Sequence, residues 1–311
     1  MHYALKDYGA ELDWNIGSLF CHDEILLKTV DLCSEFEIPN PIKWAFGCIP
    51  SPLSSGMAIS DVVTENVAEQ VAISHIERGV ACRLALTNPH ADINCIHRDR
   101  DSLRLMSFLN SHSPDGIRNG VIVSSDALAI YVKEAYPNLE TILSSVRPAY
   151  DVGYGILNDT VEWYVEKLNT SLYDIVEVNN SKAYEEGFME SLPFREKVEL
   201  IACRDCIRNC PYTKCHFESA LGIMNQMRKE NSFEKSRLMY DEVTKMCIAN
   251  RRKHLDQASS YSPEEIKRLV SLGYRRFQIS SRRNTDERIA RDIGEYLFNY
   301  RHLRYLENLI V

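Results

Sequence analysis

Strand-length apolar runs alternate with helix-patterned segments along most of this chain, and that alternation constrains its fold more than any other feature. Residues 43–49, 80–87, 121–124, 141–146, 175–179, 197–203, 243–249 and 276–280 read as eight short, nearly continuous apolar strands. Helical spacing falls between them, at 62–78, 103–109, 127–135, 161–168, 219–228 and 263–272, with a final helix at 286–300. Gly79 and Gly273 stand where two of these helices should end, and Ser262 stands as the N-cap of one. Apolar strands separated by helices are the mark of parallel βαβ units, which crossovers of one hand wind in one direction. Eight strands suit closure better than an open doubly wound sheet. The expected fold is therefore α/β, a (β/α)8 TIM-like barrel with a parallel sheet and outer helices. The whole of 1–311 is expected to form this one domain, with 1–40 an N-terminal extension and 283–311 a C-terminal helical segment.

Composition narrows the function. The formal net charge of −8 argues against binding bulk nucleic acid, which draws on a surplus of Lys and Arg. Two local basic clusters, Arg251–Arg252–Lys253 and Arg275–Arg276 with Arg282–Arg283, read as solvated charge. No apolar run approaches the ~18 residues of a membrane span. The start, MHYALKDYGAELDW, lacks the basic and apolar regions of a signal peptide, so a cytoplasmic location without membrane attachment is expected.

Ten cysteines in a reducing compartment are not expected to form a disulfide framework. Four of them, Cys203, Cys206, Cys210 and Cys215, lie in one stretch with C-x2-C-x3-C-x4-C spacing, followed by His216. Thiolates are soft ligands that favour zinc, copper(I) or iron–sulfur clusters. Structural zinc usually pairs two separated knuckles. The compression of this run, and Pro211 directly after Cys210, favour an iron–sulfur cluster, with zinc as the alternative. Cys247, near the end of the expected strand 243–249, is a further candidate ligand if that strand lies beside 197–203. Three cysteine ligands would leave one iron open to substrate.

Polar residues gather just after the expected strands, on the side where barrels of this kind build active sites. Glu177 is a candidate general base, with Arg147 and Asn179 as further candidate catalytic residues. Asn88, Arg147 and Arg282 are candidate substrate-binding residues, the two arginines as clamps for a carboxylate or phosphate. Cys48 is a weaker candidate nucleophile or ligand. His75, His90, His97 and His254 have no metal-ligand spacing and read as surface or capping residues. There is no GxGxxG, P-loop or HExxH motif, and no spacing suggests a Ser-His-Asp set.

The stretch Leu272-Gly273-Tyr274-Arg275-Arg276-Phe277-Gln278-Ile279-Ser280-Ser281-Arg282 resembles the signature of the peptidase U32-like, or collagenase-like, barrel proteins. The strand–helix–strand pattern of 119–146 and a cysteine loop after a late strand are similar to that group too. Gln278 stands where the signature has Lys and Ser281 where it has Gly, and the cysteine spacing is tighter, which marks a divergent branch. The resemblance implies a barrel carrying a 4Fe-4S cluster. It also implies a redox or oxygen-independent hydroxylation activity, of oxidoreductase type, on a small molecule or peptide. Its alternatives are a zinc-bound peptidase or other hydrolase, or a non-catalytic iron–sulfur subunit paired with a second barrel protein.

Overall fold

The computed structural model describes residues 5–54, 65–151, 159–203, 260–280 and 286–299. Between Cys203 and Ser260 it describes Ile207, Arg208, Cys210, Thr213, Phe217, Glu218, Lys245, Met246, 248–250 and 252–254. Eight parallel strands close into a barrel in sequence order. They are β1 (Asp13–Gly17), β2 (Ile42–Gly47), β3 (Ala81–Leu86), β4 (Gly120–Val123), β5 (Glu140–Leu143), β6 (Ile175–Val178), β7 (Val198–Cys203) and β8 (Arg276–Ile279). The helices are α1 (Asp23–Glu35), α2 (Glu65–Ile76), α3 (Ile93–Arg98), α4 (Arg100–Ser111), α5 (Asp126–Ala135), α6 (Pro148–Asp151), α7 (Val161–Asn169), α8 (Phe188–Ser191), α9 (Pro263–Ser271) and α10 (Asp286–Leu297). Among the described residues, no helix is long and apolar enough to cross a membrane.

Two expectations about strands are corrected. The barrel begins at Asp13, inside the segment read as an N-terminal extension. The sequence Asp-Trp-Asn-Ile-Gly has no apolar run, because its alternate residues face a polar layer inside the barrel. Of the expected strand 243–249, the described residues 245, 246, 248 and 249 are helical instead. The neighbours of β7 are β6 and β8, so the argument that placed Cys247 beside β7 through strand adjacency falls.

Apart from α6, the helices bury apolar side chains against the outer face of the sheet, where Trp14, Ile16, Leu84, Val121, Val123, Leu143, Val176, Val178, Leu200, Phe277 and Ile279 form one core with them. The helix ends follow local chemistry. Ser262 and Glu265 make a capping box at the start of α9, with Pro263 directly after the cap. Gly273, at φ 99°, turns the chain from α9 into β8 in a conformation that a side chain would strain.

Strand alternation and the pairing register stack the inward residues in layers drawn from alternate strands. From the N-terminal end upward, the first is Trp44, Gly120, Ile175 and Arg276. The second is Asn15, Arg83, Ile142 and Glu199, and the third is Phe46, Ile122, Glu177 and Gln278. The layer above is nearly all small: Gly17, Ala85 and Ser144, with Ile201. Cys48, Ser124, Asn179 and Ser280 complete the C-terminal mouth.

The lower layers are knitted by charge. Arg83, fully buried, donates to Glu199 at 2.5 Å and to Glu140 at 3.1 Å, while Asn15 donates to Glu199 at 2.8 Å. Burial opposes the Arg83 charge, but the two carboxylates outweigh it and hold its pKa above the ordinary value. At this end the guanidiniums of Arg83 and Arg276 lie 4.1 Å and 5.0 Å from the centre of the Trp44 ring.

His75, expected as a surface or capping residue, is fully buried on α2, with Nδ1 2.9 Å from the carbonyl oxygen of Val71. Burial lowers its pKa below the ordinary 6.5. Above that value the ring is neutral in both the folded and the unfolded chain. As pH falls through 6.5 the unfolded chain takes up a proton that the folded ring refuses, so stability is lost until the folded pKa is reached. The slope approaches about 1.4 kcal/mol per pH unit for one proton. His75→Leu is expected to flatten this acid limb. Urea titrations of both proteins between pH 7 and pH 5 check it, and parallel limbs would refute the assignment to His75.

Candidate active site at the barrel mouth

The chain leaves every strand at the same end, so the polar residues that follow the strands share one mouth. Glu177 is turned into the barrel from β6 and is 3% exposed. Its Oε2 accepts the backbone N–H of Ser145 at 2.9 Å and lies 3.4 Å from the Ser144 hydroxyl. The β5 exit thus holds the carboxylate in place, an arrangement suited to accepting a proton at a fixed position.

Other candidates are committed to building the rim. Arg147 donates from Nε to Asp151 at 2.6 Å, and from both terminal nitrogens to Asp126 at 3.1 and 3.2 Å. It also reaches the Ser124 carbonyl at 2.8 Å. These bonds brace the β4 and β5 exits against each other and engage the guanidinium that was expected to clamp a ligand. Burial works against the Asp126 charge, but hydrogen bonding from Tyr173 and the Arg147 guanidinium lower its pKa overall. Asn88 donates to the Pro52 carbonyl at 2.7 Å and accepts the His90 N–H at 2.9 Å, tying the β2 and β3 exits together. Asn179 accepts from the Ser181 N–H at 3.2 Å and caps the turn after β6. Arg282 lies outside the described residues. Cys48 packs with Phe46, Ala85, Ile122, Ile142 and Ile175 in the apolar interior.

The described part of the long β7–α9 connection lies across this mouth. Phe217 packs with Val146, Ala149 and Tyr150 from the β5 exit. Glu218 approaches His90 from the β3 exit at 3.6 Å, and the edge of the His90 ring meets Tyr150 at 5.3 Å. Burial and then the Glu218 carboxylate push the Tyr150 phenol well above its ordinary pKa. On the opposite side, the Arg208 guanidinium sits 3.9 Å from the centre of the Tyr184 ring, beyond β6. Arg208 thus lies at the β6 exit and Glu218 at the β3 exit.

Cys203 ends β7 and Cys210 follows in the loop, and both are buried. A side-chain donor points at each sulfur: Ser260 Oγ at 3.8 Å from Cys203 Sγ, and Asn250 Nδ2 at 3.7 Å from Cys210 Sγ. Burial, followed by the charge of Cys203, raises the pKa of Tyr296, whose hydroxyl lies 3.2 Å from the Ala202 carbonyl. Cys206, Cys215, His216 and Cys247 lie outside the described residues. Among the described residues, no three His, Cys, Asp or Glu side chains converge as metal ligands.

Sequence reasoning missed three parts of this site. It missed the serine pair that seats Glu177, the crossing of the mouth by Phe217 and Glu218, and the inward face of β1. The serines fell inside the expected strand 141–146, which in fact ends at Leu143, and the approach of Phe217 and Glu218 depends on contacts between distant segments.

No model of a known protein family matches the chain, and no curated protein matches it in sequence. Among solved structures, the U32 peptidase Mk0906 aligns with a TM-score of 0.45 and 16% identity, over 72% of this chain and 79% of its own. The citrate synthase SbnG aligns with a TM-score of 0.39 and 9% identity, over 92% of this chain and 91% of its own.

Proposed function

We propose that this barrel is an enzyme whose chemistry takes place at its C-terminal mouth, beside a thiolate-bound centre, an iron–sulfur cluster of 4Fe-4S type. Cys203 and Cys210 would hold it, with the remaining ligands from Cys206, Cys215, His216 and Cys247. The observation that carries this reading is the pair of buried sulfurs, each with a hydrogen-bond donor aimed at it. A buried thiolate needs such donors to offset lost hydration, and hydrogen bonds to sulfur are one of the ways proteins tune a cluster. Asn250 lies three residues after Cys247 in the sequence, which keeps Cys247 among the candidate ligands.

When bound, the centre supplies electron transfer, or a Lewis-acidic position if one iron lacks a protein ligand. The chain's own residues supply the rest. Ser260 and Asn250 stabilise charge on sulfur. Glu177, seated by Ser144 and Ser145, accepts a proton from a substrate resting on the barrel floor. Phe217, packed against Val146 and Ala149, lines the β5 side of the mouth with apolar surface. The reaction class that fits is an oxidoreductase or hydroxylase type acting on a small molecule or a peptide.

Anaerobic purification tests the reading. The protein is expected to be brown and to contain iron and acid-labile sulfide in comparable amounts. Stoichiometric zinc without iron would overturn it and bring forward the hydrolase alternative.

A further inference from the structure

The floor of the mouth holds a polar group that the fold itself does not explain. Gln278 points inward from β8 and is fully buried, and neither its amide oxygen nor its amide nitrogen has a hydrogen-bond partner among the described residues. In the layer below, Asn15 gives its Nδ2 to Glu199 at 2.8 Å, while its Oδ1 also has no partner among the described residues. Burying an amide without hydrogen bonds costs free energy that an apolar side chain at the same position would not. Such a group needs a reason, either an internal water or a ligand that completes it.

The layering says which direction the amide faces. The layer above Gln278 holds Ile201 on the β7 side and Gly17 on the β1 side, with Ala85 and Ser144 across the barrel, so the least obstructed line from the amide to the mouth runs past Gly17. An amide edge sets a carbonyl acceptor beside an N–H donor, and its complement is another amide edge in the opposite sense. The Asn15 oxygen adds an acceptor, which suits a second N–H and disfavours a carboxylate. We propose that Gln278 is a substrate-recognition residue. On this proposal it pairs with an uncharged amide, a carboxamide or a cyclic amide, that the substrate lowers through the mouth onto the barrel floor. This deepens the proposed function, because it takes the mouth as the active site.

The test uses acetamide, with acetate as its isosteric control, on the full chain prepared anaerobically. Ligand-observed NMR is expected to show acetamide binding, at least ~5-fold stronger than acetate. Crystals soaked in acetamide should place its amide against both polar atoms of Gln278. Gln278→Met should abolish the binding and raise Tm by about 2–4 °C, the usual response of a domain this size to relief of a modest burial cost. An ordered water alone at Gln278 in the soaked wild-type crystal would overturn the proposal, as would equal binding of acetate. So would a fall in Tm in the variant, since the amide would then be a structural member. The wild-type measurements stand even if the variant fails to fold. Iron measured on the same samples keeps the two readings apart. Acetamide at Gln278 in an iron-free protein would sink the cluster and spare this site, and a water-filled floor beneath an iron-loaded loop would do the reverse.

Discussion

Arg83→Met is expected to destabilise the folded barrel by about 3–5 kcal/mol, the cost of removing one partner from a buried ion pair. The guanidinium is fully buried and serves Glu199 and Glu140 at once. Its loss leaves Glu199, itself fully buried, with only the Asn15 amide from this network. It also removes one of the two cations that flank Trp44. The double variant Arg83→Met with Glu199→Met should recover much of the loss, because two well-packed apolar groups of similar volume often replace a buried pair at little cost. Urea unfolding of wild type, both single variants and the double variant measures the coupling. Additive effects would show that the two side chains do not act as a unit.

Cys203→Ser and Cys210→Ser are expected to remove most of the bound iron and sulfide while leaving the barrel folded, as read by elemental analysis and far-UV circular dichroism. A serine oxygen is a hard, weakly acidic ligand and a poor substitute for a thiolate. Cys247→Ser, measured alongside, decides the membership of that residue. If Cys247 binds the centre, its variant should lose iron to the same degree as Cys210→Ser; if it is a packed thiol, iron should be retained at about 1–2 kcal/mol or less of lost stability. Retention of full iron by both Cys203→Ser and Cys210→Ser would remove these two residues from the ligand set.

The strands that could be read from the sequence are those with apolar residues on both faces. VIV at 121–123 is one such run, and VELIAC at 198–203 differs from it only by Glu199, whose partner lies elsewhere in the chain. β1 escaped notice for a related reason. Its inward residues, Asp13 and Asn15, complement polar partners on β7 and β8, and nothing local reveals those partners. The run VTKMCIA misled in the other direction. Its β-branched, apolar make-up reads as a strand, but Met246 and Ile248 lie well exposed on helical backbone. A short apolar run cannot by itself tell the two apart. At the site, Glu177 was legible as an ionisable residue inside a strand. Arg147 and Asn88 look the same in sequence as ligand-binding residues would, and only their hydrogen bonds show that they fasten one exit loop to the next.

Trp44, with the guanidiniums of Arg83 and Arg276 against its ring, fills the N-terminal end of the barrel interior. On the proposed function the mouth is then the doorway that reactant, product and displaced solvent must share. A product resting at the depth of Gln278 blocks the next reactant outright. On that reading, product must leave before the next reactant enters, and accumulated product should act as a competitive inhibitor.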